Sequence, residues 1–370
     1  MLEVTVAPPD VQGHVRPLVA SDMPGIVALH ERVFGPVAST RERLAAYLFQ
    51  VFCQHPWLDA AMPSLVCEGP EGALLGCLGV MPRPMRLGGR PIRMAVSHHF
   101  MVATEARPLL AGVRLLQAFC AGPQDLSLAE GNSLSRRIWE GLHGSHLPLY
   151  SLRWTRPLRP VRYTVSFLKR RGLGRSSVRT LELLGLAFDA VLARTMRNPF
   201  ATSPPKTHAD RLDAQTLQVV VAQCADRRAC RPEYTEASLR WLLYLLAQKT
   251  HRGPLRGAVV RDRRRRIAGC YLYHARPEGV AEVVQVVASE RHAGEVLDHL
   301  FFDAWEHGAM AVSGQVDPAL LPALTERHCL LHGAGDATLL VHSRQPDVLN
   351  ALFRGDAFLT RLEGEWWIGY

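Results

Sequence analysis

The sequence has no cysteines at CxxC spacing, no HxH or HExxH pattern and no long uninterrupted apolar run. Its eight cysteines fall mostly in apolar strand or helix patterns, which predicts buried thiols rather than disulfides or a metal site. The most apolar stretch, residues 181–193, contains two acids and a glycine and is shorter than the roughly 20 residues of a membrane span. The first ten residues show no basic segment leading into an apolar run, so we expect no signal peptide and a cytoplasmic protein.

What is present is enough apolar material for a packed core. The chain has 370 residues, of which 48% are hydrophobic and 21% charged, and this favours two folded domains of ordinary size. The net charge of +9 is concentrated between Arg153 and Arg197, where eleven basic residues stand against two acidic ones. A second basic run, Arg263–Arg266, falls in a predicted turn. Since no aromatic residues interleave with this second run, we interpret it as a solvated turn and expect no DNA contact.

Hydrophobic periodicity predicts the order β-α-α-β-β-β-α-β-α-β for the first half, residues 1–155. The predicted strands are 15–18, 64–68, 73–81, 92–102, 125–129 and 147–152. The helices begin near Ser21, Ser39, Pro108 and Asn132. Residues 156–205 are rich in proline and basic side chains and are interpreted as a helical connector.

The second half, residues 206–370, repeats this order in a weaker form. Its predicted strands are 257–261, 267–274, 280–288, 309–316 and 338–342, with helices at 212–221, 238–247, 295–308 and 319–328. The stretch 363–367 is interpreted as a strand. Its adjacent Trp366 and Trp367 would point to opposite faces, one into the core and one toward an acceptor pocket or an oligomer contact.

The element order, and the loop that starts at Val102, resemble the GNAT superfamily of acyl-CoA-dependent N-acyltransferases. The family loop is Val-x-Pro-x-x-Arg-x-x-Gly-x-Gly/Ala. Val102, Arg107 and Gly112 match it, while Thr104 replaces the proline and Leu110 the first glycine. The resemblance implies an α/β fold of two tandem GNAT-like domains, each a mostly antiparallel sheet flanked by helices. It also implies an N-acyltransferase that uses acetyl-CoA or another acyl-CoA, with a small-molecule amine acceptor bound between the two domains.

The resemblance places the cofactor on the strand, loop and helix around this motif. Unpaired backbone N–H groups at a helix N-terminus, together with a nearby cation, favour a pyrophosphate. The implied cofactor residues are Met101, Val102, Ala103, Arg107, Leu110, Ala111 and Gly112. An asparagine often contacts the cofactor arm in this family, which would be Asn132 here. Asn132 is equally suited to cap the helix that follows it, so both roles stay open.

The candidate catalytic residues are His98, His99, Glu130 and Tyr150. The family base is often a glutamate on the fourth strand, but this strand carries His98 and His99 instead. Strand alternation predicts that the two histidines point to opposite faces, so that only one faces the cleft, and the alternative is one surface and one packed histidine. Glu130 is a second candidate base. Tyr150 is the nearest residue to the family's tyrosine acid.

In the second half, the equivalent loop at 288–295 places Glu290 and Glu295 where phosphates would lie. Negative carboxylates beside negative phosphates are unfavourable, so we expect one cofactor per chain, bound in the first half. Two other functions remain as alternatives. One is a non-catalytic protein that binds an acyl-CoA or a partner. The other, less favoured, is an aminoacyl transferase that uses charged tRNA. Peripheral membrane contact through residues 161–197 is an alternative to a bridge between the two halves.

Overall fold

A computed structural model describes residues 13–36, 40–106, 110–170, 200, 202–335 and 337–369. The chain divides into two compact units, each assembled from separate stretches of sequence. Unit 1 comprises Met1–Leu147, Asp336–Asn350 and Glu363–Tyr370. Unit 2 comprises Pro148–Gly335 and Ala351–Leu362. Among the helices of the described residues, none combines the length and apolar character that a membrane crossing requires.

Unit 1 is built on a sheet in which seven strands follow one another in the order β1-β2-β3-β4-β5-β15-β6. The strands are β1 His14–Pro17, β2 Leu65–Glu68, β3 Leu74–Leu87, β4 Arg90–Val102, β5 Leu126–Gly131, β6 Ser145–His146 and β15 Thr338–His342. Neighbours in this order pair antiparallel, except that β4 and β5 are parallel. The sheet is therefore mostly antiparallel with one parallel step at its centre.

Four helices accompany this sheet. They are α1 Met23–Phe34, α2 Arg41–Cys53, α3 Ala111–Cys120 and α4 Ser133–Gly141. Thr40 caps α2 by accepting a hydrogen bond from the Arg43 backbone N–H at 3.4 Å. The first three helices bury residues three or four positions apart, as Leu44 and Leu48 do in α2 and Leu115 and Phe119 in α3, whereas α4 buries Trp139 alone. The helical periodicity of the sequence thus decides which helix faces enter the core.

Unit 2 has a second seven-stranded sheet, in the order β14-β7-β13-β12-β11-β10-β8. The strands are β7 Leu152–Pro157, β8 His208–Arg211, β10 Leu255–Arg261, β11 Ile267–His274, β12 Val280–Ala288, β13 Ala311–Gln315 and β14 Leu330–Gly333, and a short strand β9 spans Cys230–Pro232. Only β12 and β13 pair in parallel. The helices are α5 Pro148–Ser151, α6 Pro160–Arg170, α7 Ala214–Cys224, α8 Glu236–Gln248, α9 Ala293–Glu306 and α10 Leu321–Glu326. A last helix, α11, covers Pro346–Phe353.

Two mostly antiparallel sheets flanked by helices confirm the predicted fold class, and the predicted free thiols are confirmed too. All eight cysteines are free, and six of them are buried. The structure departs from the sequence interpretation at 147–152, where residues 148–151 form α5 rather than a strand. It also departs at 363–367, which forms turns rather than a strand. There Trp367 is buried and Trp366 only partly so.

The units do not coincide with the predicted boundaries at 155 and 206. Strand β7 begins at Leu152, where the predicted strand 147–152 ends, and it pairs with β13 and β14 in the sheet of unit 2. Strand β15, predicted in the second half, pairs with β5 and β6 in unit 1. The sequence pattern identifies β15 as a strand but places the strand before the connector too early, and it carries no information on which sheet either strand joins. Of the predicted connector, α6 belongs to unit 2, while most of residues 161–197 lies outside the described residues.

Glycine at position 79 is required by the packing of unit 1. A Cβ atom added there would overlap the fully buried imidazole ring of His98 on the neighbouring strand. We expect Gly79→Ala to lower the free energy of unfolding by about 1–3 kcal/mol, because neither the strand nor the ring can move away freely. Urea denaturation measures this difference.

The matched control is Gly141→Ala, because the added methyl group at the end of α4 meets open space. We expect this variant to stay within about 0.5 kcal/mol of the wild type. Equal destabilisation by the two substitutions would contradict the close packing of His98 on Gly79.

Candidate functional site

The central feature of unit 1 is a split between its two parallel strands. β4 and β5 pair at Met94 with Leu126, at Ala95 with Ser127 and at Val96 with Leu128. Both strands continue beyond this point, and every one of their residues is described, but the ladder between them ends at Val96. Each strand stays paired on its outer side, β4 with β3 and β5 with β15. The gap is therefore held open by the two flanking ladders.

A β-bulge lies in β4 beside this gap. Cys77 pairs with Met101 and Gly79 with His98, so His99 and Phe100 together oppose Leu78 alone. His99 has a φ of 45°, in the left-handed region that side chains other than glycine rarely adopt. A residue held in this way is strained, and such strain is often found at functional sites.

The bulge changes the predicted alternation of the two histidines. The rings of His98 and His99 contact each other, with their Nδ1 atoms 3.0 Å apart, rather than standing on opposite faces. One Nδ1 therefore donates and the other accepts. Burial, together with nearby His99 and His55, holds the pKa of His98 well below its usual value, so His98 is neutral. His99 lines the cavity described next, and His98 is packed behind it.

A cavity of about 480 Å³ opens at the split. Phe100 and Leu116 give it apolar walls, to which Trp139 of α4 and Leu340 of β15 contribute. Its polar lining residues are His30, Ser97, His99, Glu130, Asn132, Ser135 and Glu365. A largely apolar cavity with a few convergent polar groups is the usual form of a small-molecule site. Within the described part of the chain, no three His, Cys, Asp or Glu side chains converge as a metal site would require.

Several lining residues were not predicted from the sequence, among them His30 and Glu365. The Glu365 carboxyl accepts hydrogen bonds from the backbone N–H of His99 at 3.2 Å and from that of Glu130 at 3.4 Å. It therefore joins the two strands across the split. Burial raises the pKa of Glu365 to about 8, with a further contribution from the charge of Glu130. Sequence gave no signal for this role, since Glu365 is 235 residues from Glu130.

Glu130 and His30 complete the titratable groups of the cavity. The Glu130 carboxyl accepts a hydrogen bond from the Trp366 backbone N–H at 3.1 Å, which fixes it beside Glu365. His30 lies on α1 with its ring 6.4 Å from that of His99, centroid to centroid. Burial lowers the pKa of His30, so this side chain is neutral near pH 7.

The predicted cofactor loop leads into α3. Leu110 begins this helix with a φ of 57° and is largely exposed, and no side chain of the described residues caps the helix there. Gly112 packs against β4, where an added Cβ would lie 3.1 Å from the Phe100 ring and 3.2 Å from a Val102 methyl group. Arg107 lies outside the described residues. The helix start thus offers backbone N–H groups close to the strand, as an anion requires.

The other predicted cofactor residues differ in their exposure. Met101, Ala103 and Ala111 are buried, and Val102 is partly so. The Ala103 N–H donates to the Leu75 carbonyl oxygen at 2.9 Å, so it is taken up by β3. These residues form the support of the loop rather than an open surface.

Asn132 lies at the start of α4 and lines the cavity. Its side-chain oxygen accepts hydrogen bonds from the backbone N–H groups of Leu134 at 3.1 Å and Ser135 at 3.0 Å. The capping role, one of the two that the sequence allowed, is therefore present. A carbonyl oxygen used in this way leaves the amide N–H₂ group for another contact.

The structure places Tyr150 in unit 2, outside the cavity of unit 1. Its hydroxyl donates to the Ala357 carbonyl oxygen at 2.8 Å and accepts from the Ala357 N–H at 3.1 Å. Burial raises the pKa of this phenol. This bonding is that of a structural tyrosine, so the predicted role as general acid has no support in the structure.

Unit 2 has a similar split between its two parallel strands, β12 and β13, and buried side chains pack beside it. β12 and β13 pair in parallel only from Val280 to Glu282, and β12 has a register shift opposite Leu272 and Tyr273. Here the Gln285 side chain donates to the Thr360 hydroxyl at 3.2 Å, and Arg361 donates to the Val283 carbonyl oxygen at 3.0 Å. All four of these side chains are buried, so residues of unit 2 itself pack along β12 beside the second gap.

The start of α9, which corresponds to the start of α3, is covered as well. A Cβ added at Gly294 would overlap the guanidinium of Arg327, and this guanidinium forms a two-pronged pair with Asp298 at 2.7 and 2.9 Å. Glu295 lies in the first helical turn. Both observations place charged side chains at this helix start.

Comparison with known proteins supports the fold. No protein-family model matches the chain, and neither does any curated protein sequence. Solved structures do match: a GCN5-related N-acetyltransferase from Anabaena variabilis has a TM-score of 0.59 and 11% identity, over 91% of this chain and 74% of that one. One from Kribbella flavida has a TM-score of 0.57 and 13% identity, over 90% and 71%.

The likeness extends to an N-myristoyltransferase from Saccharomyces cerevisiae with bound myristoyl-CoA and inhibitors. Its TM-score is 0.50 with 12% identity, over 91% of this chain and 80% of that one. The chain therefore has the fold of GCN5-related N-acetyltransferases, as its sequence motifs had predicted. At these identities the likeness concerns the fold alone.

The raised pKa of Glu365 predicts a stability that depends on pH. The folded chain retains a proton on Glu365 between the usual pKa of 4.5 and about 8, where the unfolded chain releases it. This stabilisation is complete below the usual pKa and is lost as the pH rises to about 8. We expect the stability of the wild type relative to Glu365→Gln to fall from about pH 5 to about pH 8.5, as measured by urea denaturation.

Glu236→Gln is the control, because Glu236 is a carboxylate at the surface of α8 whose ion pair is with an arginine, Arg240. Over the same pH range its effect on stability should be flat. A flat result for Glu365→Gln as well would show that Glu365 ionises normally.

Proposed function

We propose that unit 1 is an acyl-CoA-dependent N-acyltransferase site, with acetyl-CoA as the simplest cofactor. The observation that carries the proposal is the held-open split between β4 and β5, with its bulge at His99 and its adjoining cavity. In a GNAT fold this split receives the thioester. The fold shared with N-acetyltransferases and with a myristoyl-CoA-binding transferase supports the same function.

The residues present fit such a cofactor. The uncapped start of α3 would hold the pyrophosphate through the backbone N–H groups of Ala111 and Gly112, and Arg107 would supply the cation. Gly112 allows the helix to lie close to β4. The backbone groups along the split would bind the amide-bearing arm, and the amide of Asn132 lies at the end of the cavity. We place a single cofactor in each chain, because buried side chains pack beside the second split.

The chemistry requires a neutral amine, a polarised thioester carbonyl and a path for one proton. Backbone N–H groups beside the bulge would polarise the carbonyl. His99 and Glu130 line the cavity and are the sequence-derived candidates for the base, whereas His98 is packed behind them. Holding the two reactants together supplies much of the rate by itself. The acceptor is a primary amine that enters the cavity.

Calorimetry with acetyl-CoA tests the proposal directly. We expect one site per chain, with a dissociation constant on the order of 1 μM to 1 mM, the usual range for enzyme substrates. Arg107→Glu should weaken binding at least about tenfold, because it places a carboxylate beside the pyrophosphate. Arg43→Glu, the same change at an exposed position on α2, should bind as the wild type does.

Absence of binding at millimolar acetyl-CoA would contradict the proposal, as would binding that is insensitive to Arg107→Glu. A panel of amines, assayed by release of the CoA thiol, then separates catalysis from binding alone. Binding without thiol release from any amine would favour the non-catalytic alternative. A high absorbance at 260 nm in the purified protein would favour the tRNA-dependent one.

A further inference from the structure

The side chain of Glu365 lies where the two strands of the split come apart. Its two carboxyl oxygens accept hydrogen bonds from different strands, one from the His99 N–H and one from the Glu130 N–H. The position of the Glu365 carboxyl is therefore set by the backbone of both strands of the split.

The segment that carries Glu365 is fixed at both ends. On one side, Glu363 is fully buried near Arg83, whose guanidinium stacks on Trp57 at 4.3 Å from the ring centroid. On the other side, Trp367 and Ile368 are fully buried, and the Tyr47 hydroxyl donates to the Ile368 carbonyl oxygen. An anchored carboxyl meets a basic requirement for acid–base catalysis, since its geometry does not have to be organised during the reaction.

The groups that face Glu365 come from three elements. They are Glu130 on β5, His99 on β4 and His30 on α1, and all of them line the same cavity. The Glu130 carboxyl is adjacent because it accepts the hydrogen bond of Trp366, the residue that follows Glu365. Two carboxyls held close together do not ionise together readily, and the charge of Glu130 contributes to the raised pKa of Glu365.

We propose that Glu365 is the acid–base residue of the acyl transfer, accepting the proton of the amine and passing it to the departing thiol. This inference rests on the proposed function. The amine nitrogen forms a bond to the acyl carbon and releases one proton to the Glu365 carboxylate, while the bond from carbon to sulfur breaks. The protonated carboxyl then gives that proton to the thiolate, which yields the amide and the free thiol and restores Glu365.

The protonation of Glu365 suits this role. A group that both takes and gives a proton works best when its pKa is near the operating pH. Burial and the neighbouring Glu130 raise the pKa of Glu365 from its usual range to about 8. The carboxyl thus exchanges its proton in the range where an amine acceptor is also partly neutral.

The first test needs no ligand. In protein labelled with ¹³C at the glutamate carboxyls, we expect one resonance that is absent from Glu365→Gln and that titrates near pH 8. Glu130→Gln should move this titration to lower pH, because it removes the adjacent charge. A Glu365 resonance that titrates in the usual glutamate range would overturn the proposal, as would one insensitive to Glu130→Gln.

The second test separates binding from proton transfer. Glu365→Gln should bind acetyl-CoA as the wild type does, whereas kcat/KM should fall about 100-fold, the usual order for loss of an acid–base residue. The rise of kcat/KM with pH near 8 should disappear with it. Hydroxylamine is a suitable probe nucleophile because it stays largely neutral in this range, with its uncatalysed rate subtracted. Glu365→Asp, which keeps the carboxyl, should restore part of the rate and the pH dependence.

Glu140→Gln is the matched control and should retain both the rate and the pH profile. Full activity of Glu365→Gln would overturn the proposal. Tighter acetyl-CoA binding with faster turnover in this variant would overturn it too, because the carboxyl would then only obstruct the split. If the wild type binds no acetyl-CoA, the proposed function itself fails. The two failures are therefore distinguishable.

Discussion

The site depends on one constraint, namely that β4 and β5 are each held along their outer edges but joined to each other over three residue pairs. The hydrogen-bond ladders to β3 and β15 prevent β4 and β5 from pairing with each other over their whole length. The peptide groups beyond Val96 and Leu128 therefore face a gap, and buried peptide groups require partners. The Glu365 carboxyl meets this need for two of them. The C-terminal segment, the bulge and the cavity all follow from this arrangement of backbone.

In unit 2, a similar split between parallel strands is combined with different side chains. Beside it, Gln285 bonds to Thr360 and Arg361 to the Val283 carbonyl oxygen, and none of these groups exchanges a proton near neutral pH. Unit 1 uses a carboxyl that stays in contact with a cavity. The two units thus differ in chemistry through the side chains that lie at their splits.

Local patterns in the sequence were sufficient for the order of most elements, and the resemblance of that order to the GNAT superfamily supplied the fold class. Helical periodicity located α1 to α4, and alternation located most of the strands. Three features required tertiary information: the pairing of β15 with β5, the entry of β7 into the second sheet, and the contact of Glu365 with His99. The bulge that brings His98 and His99 together could not be predicted from local pattern either. It arises where β4 pairs with β3, because two residues of β4 oppose one residue of β3. The start of α3 and its Gly112 were predictable, since motif and packing agree there.

The exchange of segments between the units has a consequence for how the site forms. β5 receives its outer partner from residues 338–342, and the split receives its carboxyl from residue 365, both of which follow most of unit 2 in the sequence. Contacts of such long sequence separation form late, because closing the chain between them costs entropy before they stabilise anything. The sheet of unit 1 is therefore completed only after the strands of unit 2 have been synthesised, and the same holds for the carboxyl at its split.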